Sequence, residues 1–421
     1  MSHVVRAMLA RLTRLLSVLA LLGVGLVWLP ALSADAAGPA DSPIGPPVSS
    51  QALFACAPDG TQSSGAKYRI CMPTFTPWNG DLIVYAHGYV SPTEPVHIPE
   101  DQLRLPNGTS IPDTVTFLGF AFATTSYSIN GLAVRQGMGD LVDLVNSFRA
   151  AYPAVKRVYL VGPSEGGWLT TLGVERRPDV FDGGLAMCGP IGDFHGQINY
   201  LGDFRVVFDY FFPGLMPGSP ISVPTSLMDT WDTYYPSTIL PPILDPANAI
   251  SVTQLLSVTH AAVDPADLAN TVSNTIHILL WYSVFATNDA TTKLGGQPFD
   301  NQSRVYAGSL DDVQLNAAVQ RFSAEPAAIQ EINAYYQTAG RPLVPLVTVH
   351  TTLDQTVPYW HALLYRDKIV AQRRAFWYTH LPVPRYGHCS FTFAEIQMAL
   401  GLLTQRVRNP PVAIYWPLIR K

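Results

Sequence analysis

The run Val158-Tyr159-Leu160-Val161-Gly162-Pro163-Ser164-Glu165-Gly166-Gly167-Trp168 decides how the rest of the 421-residue chain is read. Four apolar, mostly strand-favouring residues, 158–161, lead into Gly-x-Ser-x-Gly, and a helix-competent segment through 169–172 follows. Strand, sharp turn, helix is the setting in which this motif holds a serine hydroxyl out from a sheet edge in a strained turn. The flanking glycines fit that reading, because a Cβ at either position would meet the neighbouring strand and helix. Ser164 is therefore the candidate nucleophile. A Gly-rich turn with a passive serine is the alternative, and partners for Ser164 elsewhere in the chain decide between the two.

Outward from the motif, 67–72 and 81–86 read as strands, the second ending in His87-Gly88-Tyr89. A Pro-rich loop over 91–114 precedes an apolar run at 117–124, and 133–151 has helical spacing at Val134, Met138, Leu141, Leu144 and Phe148. The segment 183–187 is the strand after the motif. Strands that alternate with helical segments imply crossover connections and a mainly parallel sheet. The alternation stops near Ile191, and 193–340 is helix-like and rich in aromatic residues. It resumes with a strand at 343–349, a helix at 360–371, a strand at 375–380 and a helix at 393–405. An insertion of this length is far beyond an ordinary loop. The insertion is either a cap over the site or a separate module; because it leaves one sheet strand and returns to the next, a cap is expected. Its aromatic residues serve either an apolar substrate site or the cap's own core.

Composition narrows the class. The chain is 48% hydrophobic and 14% charged, with 36 prolines and a net charge of −5, which suits a compact extracellular protein and shows no basic stripe for nucleic acid. Arg6, Arg11 and Arg14 precede an apolar run at 15–29, and Ala34-Asp35-Ala36 offers small residues for cleavage after Ala36. We expect a signal peptide over 1–36, a flexible linker over 37–50, core at 51–192, a helical cap or lid at 193–341, and core again at 342–421. The expected location is extracellular or periplasmic, with no stable membrane anchor after cleavage. In an exported chain four cysteines default to disulfides. Cys56 and Cys71 flank a Gly/Ser-rich turn and pair most simply as a hairpin staple, which leaves Cys188 with Cys389; the other reading is buried free thiols. Asn107-Gly108-Thr109 and Asn301-Gln302-Ser303 fit the glycosylation acceptor pattern. Tyr127-Ser128-Ile129-Asn130-Gly131 reads as an Asn-Gly turn or as a lining of the pocket entrance. No dinucleotide, phosphate or metal motif appears, so no cofactor is expected.

A serine hydroxyl needs a base within hydrogen-bond reach. Of the ten histidines, His388 stands out: it lies in Tyr386-Gly387-His388-Cys389, after the last expected strand and before a helix, at the sheet edge that presents Ser164. The acid that orients it is expected at Asp354, in a polar turn after the 343–349 strand, with Asp193 as the competitor. Asp354 could instead cap the helix behind Pro358. An oxyanion hole needs two donors. The backbone N–H of Glu165 is one, and Tyr89 supplies the other through its N–H or its hydroxyl.

With its His-Gly turn, Gly-x-Ser-x-Gly, Asp and His in that chain order, the sequence resembles the α/β-hydrolase superfamily over about 67–192 and 342–408. The resemblance implies an α/β fold, a mainly parallel central sheet flanked by helices with the insertion as cap. The Asp-x-x-Val-Pro turn and Gly-His-Cys segment are similar to those of secreted esterases and prolyl-oligopeptidase-like hydrolases. The chain departs from the feruloyl esterase and tannase group at Pro163, where that group has a cysteine bridged to the one after the histidine. A secreted serine hydrolase of small or polymeric esters, hydrophobic or aromatic, is the expected activity. A peptidase of the prolyl-oligopeptidase kind and a non-catalytic binding protein on the same scaffold are the alternatives.

Overall fold

The computed structural model describes residues 56–105 and 107–409; the signal peptide and linker expected over 1–50 lie outside them. Among the described residues eight strands form one sheet: β1 (Gly60–Thr61), β2 (Lys67–Cys71), β3 (Asp81–Tyr85), β4 (Ala121–Thr125), β5 (Arg157–Pro163), β6 (Gly183–Met187), β7 (Leu346–Leu353) and β8 (Tyr378–Tyr386). Their order is β1-β2-β4-β3-β5-β6-β7-β8. β1 and β2 join antiparallel at one edge, and every pairing from β4 to β8 is parallel. This is the α/β-hydrolase architecture, a parallel sheet covered by helices with a large helical insertion between β6 and β7.

Parallel strands buried on both faces read as continuous apolar runs. Alternate side chains divide between the faces. Leu82, Val84 and Leu160 pack with Leu141, Leu144 and Phe148 of the helix Val134–Ala151 and with Trp168 and Leu172 of the helix Glu165–Arg176. Ile83, Tyr85, Val161 and Leu185 point to the opposite face, where the helix Phe393–Arg408 lies. That last helix starts on a reciprocal capping box between Thr392 and Glu395.

Three expected boundaries move, each for a local reason. The apolar run at 117–124 is strand only over Ala121–Thr125, because the end of the Pro-rich stretch forms the helix Ile111–Phe117. Pro112 sits in its first turn, where a missing N–H costs nothing, and Ser110 accepts from Asp113 N as the cap. The strand expected at 343–349 is β7, shifted to Leu346–Leu353. The last strand runs over Tyr378–Tyr386 rather than 375–380. Pro382 and Pro384 hid it in the sequence, and β8 accepts them because it pairs on one side only.

Among the described residues no strand lies between Met187 and Leu346; helices fill the insertion, from Phe194–Phe211 through Leu268–Leu294 to Pro326–Glu331. Phe204, Phe208, Trp231, Leu279 and Leu280 bury one another, so much of the aromatic content serves the cap's own core. The long helix Leu268–Leu294 is tied down near its C-terminal end. Asp289 accepts from Leu132 N at 2.7 Å and pairs with Lys293 at 2.8 Å, while Lys293 donates to the Asn130 carbonyl. The 127–131 turn therefore anchors the cap. No described helix is long and apolar enough to cross a membrane.

Both expected disulfides are present, and no free cysteine remains among the described residues. Cys56–Cys71 staples the segment before the β1–β2 hairpin to β2. Cys188–Cys389 joins the residue after β6 to the loop after β8, closing 201 residues of chain. The Asn301 glycosylation pattern does not sit on an accessible amide. Asn301 is 1% exposed, and its Nδ2 donates to Tyr306 and to the Gln320 carbonyl.

Candidate active site

Ser164 stands between β5 and the helix Glu165–Arg176 with φ 54° and ψ −122°, a conformation that costs a residue with a Cβ about 1–3 kcal/mol. The surroundings impose it. A Cβ on Gly166 would run into the Ala86 carbonyl, and one on Gly162 would meet both that oxygen and the Gly166 backbone. Ser164 N donates to Met187 O at 2.8 Å, which fixes the turn to the next strand.

Asp354 follows β7 directly and His388 lies just beyond β8, so the chain brings both to the carboxyl edge of the sheet beside Ser164. His388 Nε2 is 2.9 Å from Ser164 Oγ, and His388 Nδ1 is 2.8 Å from Asp354 Oδ2. The Asp354 carboxylate is 1% exposed. Its Oδ1 accepts from Thr356 N and Val357 N at 2.9 and 2.8 Å. Burial pushes this carboxyl up, but the imidazoles of His388 and His350 outweigh burial and hold it well below the ordinary carboxylate range. Asp354 thus shapes the turn before the helix Trp360–Ala371 without capping that helix. Asp193, the competing acid, is elsewhere: it accepts from Gln337 Nε2 at 2.6 Å.

Other histidines are committed to structure. His350 Nε2 lies 2.8 Å from the Val357 carbonyl. His361 is buried, which pushes its basicity well down, and it bridges Gly192 N and Gln197. His87 is pushed down to about 4 by burial and stacks on Tyr127 at 3.9 Å.

Gly88 and Tyr89 form the other side of the site. Gln102 clamps them: its Oε1 accepts from Gly88 N at 2.7 Å and its Nε2 donates to Tyr89 O at 3.2 Å. A Cβ on Gly88 would fall 3.4 Å from Ser164 Cβ, which shows how closely this strand end approaches the serine. Among the described residues, the backbone N–H groups of Tyr89 and Glu165 have no acceptor. The Tyr89 hydroxyl is taken, donating to the Phe285 carbonyl of the cap at 3.3 Å.

A cavity of about 100 Å³ opens at Ser164, walled by Tyr89, Trp168, Phe194, Ile198, Tyr282 and Val357. Three contributors escaped the sequence reading. Tyr282 comes from the cap and lines the cavity together with Ser164; burial raises its phenol well above the ordinary range. It stood out in the sequence only as one of many aromatic residues. Glu165 was expected for its N–H alone, yet its carboxyl is buried in the cavity wall and accepts from Ala133 N at 2.8 Å. Burial raises it to about 8, against the pull of the Ala133 N–H and Lys293. Gln102, in a Pro-rich loop, carried no signal at all.

Cys188, His388 and Cys389 bring ligand-type atoms within 4.8 Å of one another. The disulfide consumes both thiolates, and a thiolate is the form that binds metal.

No family model and no curated protein matches the chain. Solved structures match at low identity. An acylaminoacyl peptidase in complex with Z-Gly-Gly-Phe-chloromethyl ketone is 10% identical with a TM-score of 0.39, over 80% of this chain and 37% of that one. Feruloyl esterase B from Aspergillus oryzae is 15% identical with a TM-score of 0.43, over 83% and 79%. The Pyrococcus furiosus esterase Pf2001 is 10% identical with a TM-score of 0.41, over 84% and 90%. The chain spans 37% to 40% of the length of the acylaminoacyl peptidases it matches. At identities of 10–15% and TM-scores of 0.39–0.43, these likenesses carry no argument about this chain.

Proposed function

We propose that the protein is a secreted serine hydrolase that cleaves carboxylic esters bearing an apolar group. The observation that carries this reading is the His388 ring, held between Ser164 Oγ at 2.9 Å and Asp354 Oδ2 at 2.8 Å. Ser164 Oγ attacks the ester carbonyl and gives its proton to His388 Nε2, while Asp354 holds the ring in the tautomer with Nδ1 protonated. The carbonyl oxygen becomes an oxyanion, and the free N–H groups of Tyr89 and Glu165 are the donors for it. Collapse breaks the ester C–O bond, and the leaving alcohol takes the proton from Nε2. Water then attacks the acyl-enzyme, gives a proton to Nε2, and the carboxylic acid leaves as Ser164 recovers its proton.

The cavity wall supports an apolar substrate. Trp168, Phe194, Ile198 and Val357 leave no fixed cation or anion except the mostly neutral Glu165. Two disulfides fit an oxidising compartment and support export, with the signal peptide over 1–36 and the cap over 193–341 as parts of the same proposal. The test is hydrolysis of p-nitrophenyl esters of graded acyl size beside peptide p-nitroanilides, with Ser164→Ala as blank. Ester cleavage lost in Ser164→Ala supports the reading. Activity that persists in that variant, or peptide cleavage without ester cleavage, overturns it.

A further inference from the structure

A second cavity, of about 240 Å³, lies on the face of the sheet opposite the helix Glu165–Arg176. Its floor is Ile83, Val161 and Leu185 from three adjacent strands. Its walls are single helix faces. Ile111, Thr114 and Val115 line it from one helix, and Phe393, Ile396 and Leu400 from the other, the spacing of one stripe on each. Interiors are normally packed without such gaps, and a dry apolar cavity of about 150 Å³ already admits benzene. The helix Ile111–Phe117 has only two turns, too few to fill the sheet face between β3 and the helix Phe393–Arg408.

One charge stands at the rim. Arg104 lines the cavity and is exposed; its guanidinium donates to the Gly108 carbonyl at 3.3 Å and has no carboxylate partner among the described residues. Glu100, from the same stretch, is already paired with Arg69 at 2.6 Å. An apolar slot with an uncompensated cation at its mouth fits one kind of molecule.

We propose that this cavity binds a carboxylic acid with an apolar chain, the chain lying over Val161 and Leu185 and the carboxylate at Arg104. The site is distinct from the cavity at Ser164, since the two share no lining residue. It nevertheless adjoins the site through the backbone. Pro163 and Cys389, in its wall, precede Ser164 and follow His388, and Gln102, also in its wall, clamps Gly88 and Tyr89. An occupant therefore touches three residues that hold the catalytic groups in place.

The test uses the full chain carrying Ser164→Ala, so that its outcome is independent of whether the protein hydrolyses esters. Calorimetric titration with octanoate and with octan-1-ol should show binding of both. Added Arg104→Gln should weaken octanoate at least fivefold and leave octan-1-ol within twofold, while added Val115→Phe, which fills the slot, should remove both. Thr114→Phe fills it from the rim and serves where Val115→Phe does not fold. No binding of octanoate, or binding that survives a folded filling variant, overturns the site; equal weakening of acid and alcohol by Arg104→Gln overturns the assignment of the carboxylate.

Discussion

His388 Nδ1 lies 2.8 Å from an Asp354 oxygen that solvent cannot reach. A buried carboxylate in that position fixes the tautomer and stabilises the imidazolium that forms during turnover. Asp354→Asn should lower kcat by about four orders of magnitude, as the same change does in other Ser-His-Asp sites. Asp193→Asn should leave kcat nearly unchanged, because among the described residues the Asp193 carboxylate hydrogen-bonds Gln337 and not His388. Steady-state kinetics on a p-nitrophenyl ester check the pair, and a larger loss from Asp193→Asn would transfer the acid role.

Ser164→Ala removes the proposed nucleophile and keeps the Cβ that makes the turn costly, whereas Ser164→Gly removes both. The positive φ of 54° should make Ser164→Gly the more stable of the two variants by about 1 kcal/mol in urea denaturation. Both variants should be inactive. Equal stability would mean that the turn stores no strain.

Glu165 gives a pH dependence with a definite sign. Its carboxyl is raised from 4.5 to about 8 by burial. Between those values the unfolded chain has released the proton and the folded chain still holds it, so stability is full below about pH 4.5 and declines as pH rises through 8. Ionised Glu165 would also oppose the oxyanion beside it, so kcat should fall above about pH 8. Glu165→Gln should flatten both trends. Denaturation midpoints at pH 5 and pH 8, with pH–rate profiles, provide the readout.

The two disulfides should separate in effect. Removing Cys188–Cys389 by paired alanine substitution releases a 201-residue loop and frees the segment carrying His388, and should cost about 2–5 kcal/mol as well as most of kcat. Removing Cys56–Cys71, which closes 15 residues away from Ser164, should lower stability with little change in kcat. Parallel urea titrations and kinetics on the two double variants compare them.

Much of the core could be read from sequence because local and tertiary preferences agree there. β6 has the expected bounds, Gly183–Met187, and so does the helix Trp360–Ala371. The geometry also brings Ser164, Asp354 and His388 together, since each follows a parallel strand and the fold aligns those strand ends. What stayed hidden depends on contacts between distant segments. Tyr282 reaches Ser164 only through the cap's packing, and Gln102 acts from a loop whose path the sequence does not specify. β8 was obscured by prolines that only an edge strand accepts. The carboxyl of Glu165 is unusual because segments distant in sequence bury it, and that burial outweighs the pull of the Ala133 N–H and Lys293.

Asp354 divides its two oxygens between different tasks: Oδ2 meets His388, while Oδ1 holds the N–H groups of Thr356 and Val357. Thr356 and Val357 line the cavity at Ser164. One carboxylate thus links the His388 ring rigidly to the cavity wall, and in the proposed mechanism it would couple proton transfer to the substrate's shape. On the proposed reading, a bulky ester that presses Val357 outward would tilt the support on which His388 rests, so poor fit would become poor proton transfer. In such a site, selectivity among acyl groups would emerge in kcat as much as in KM.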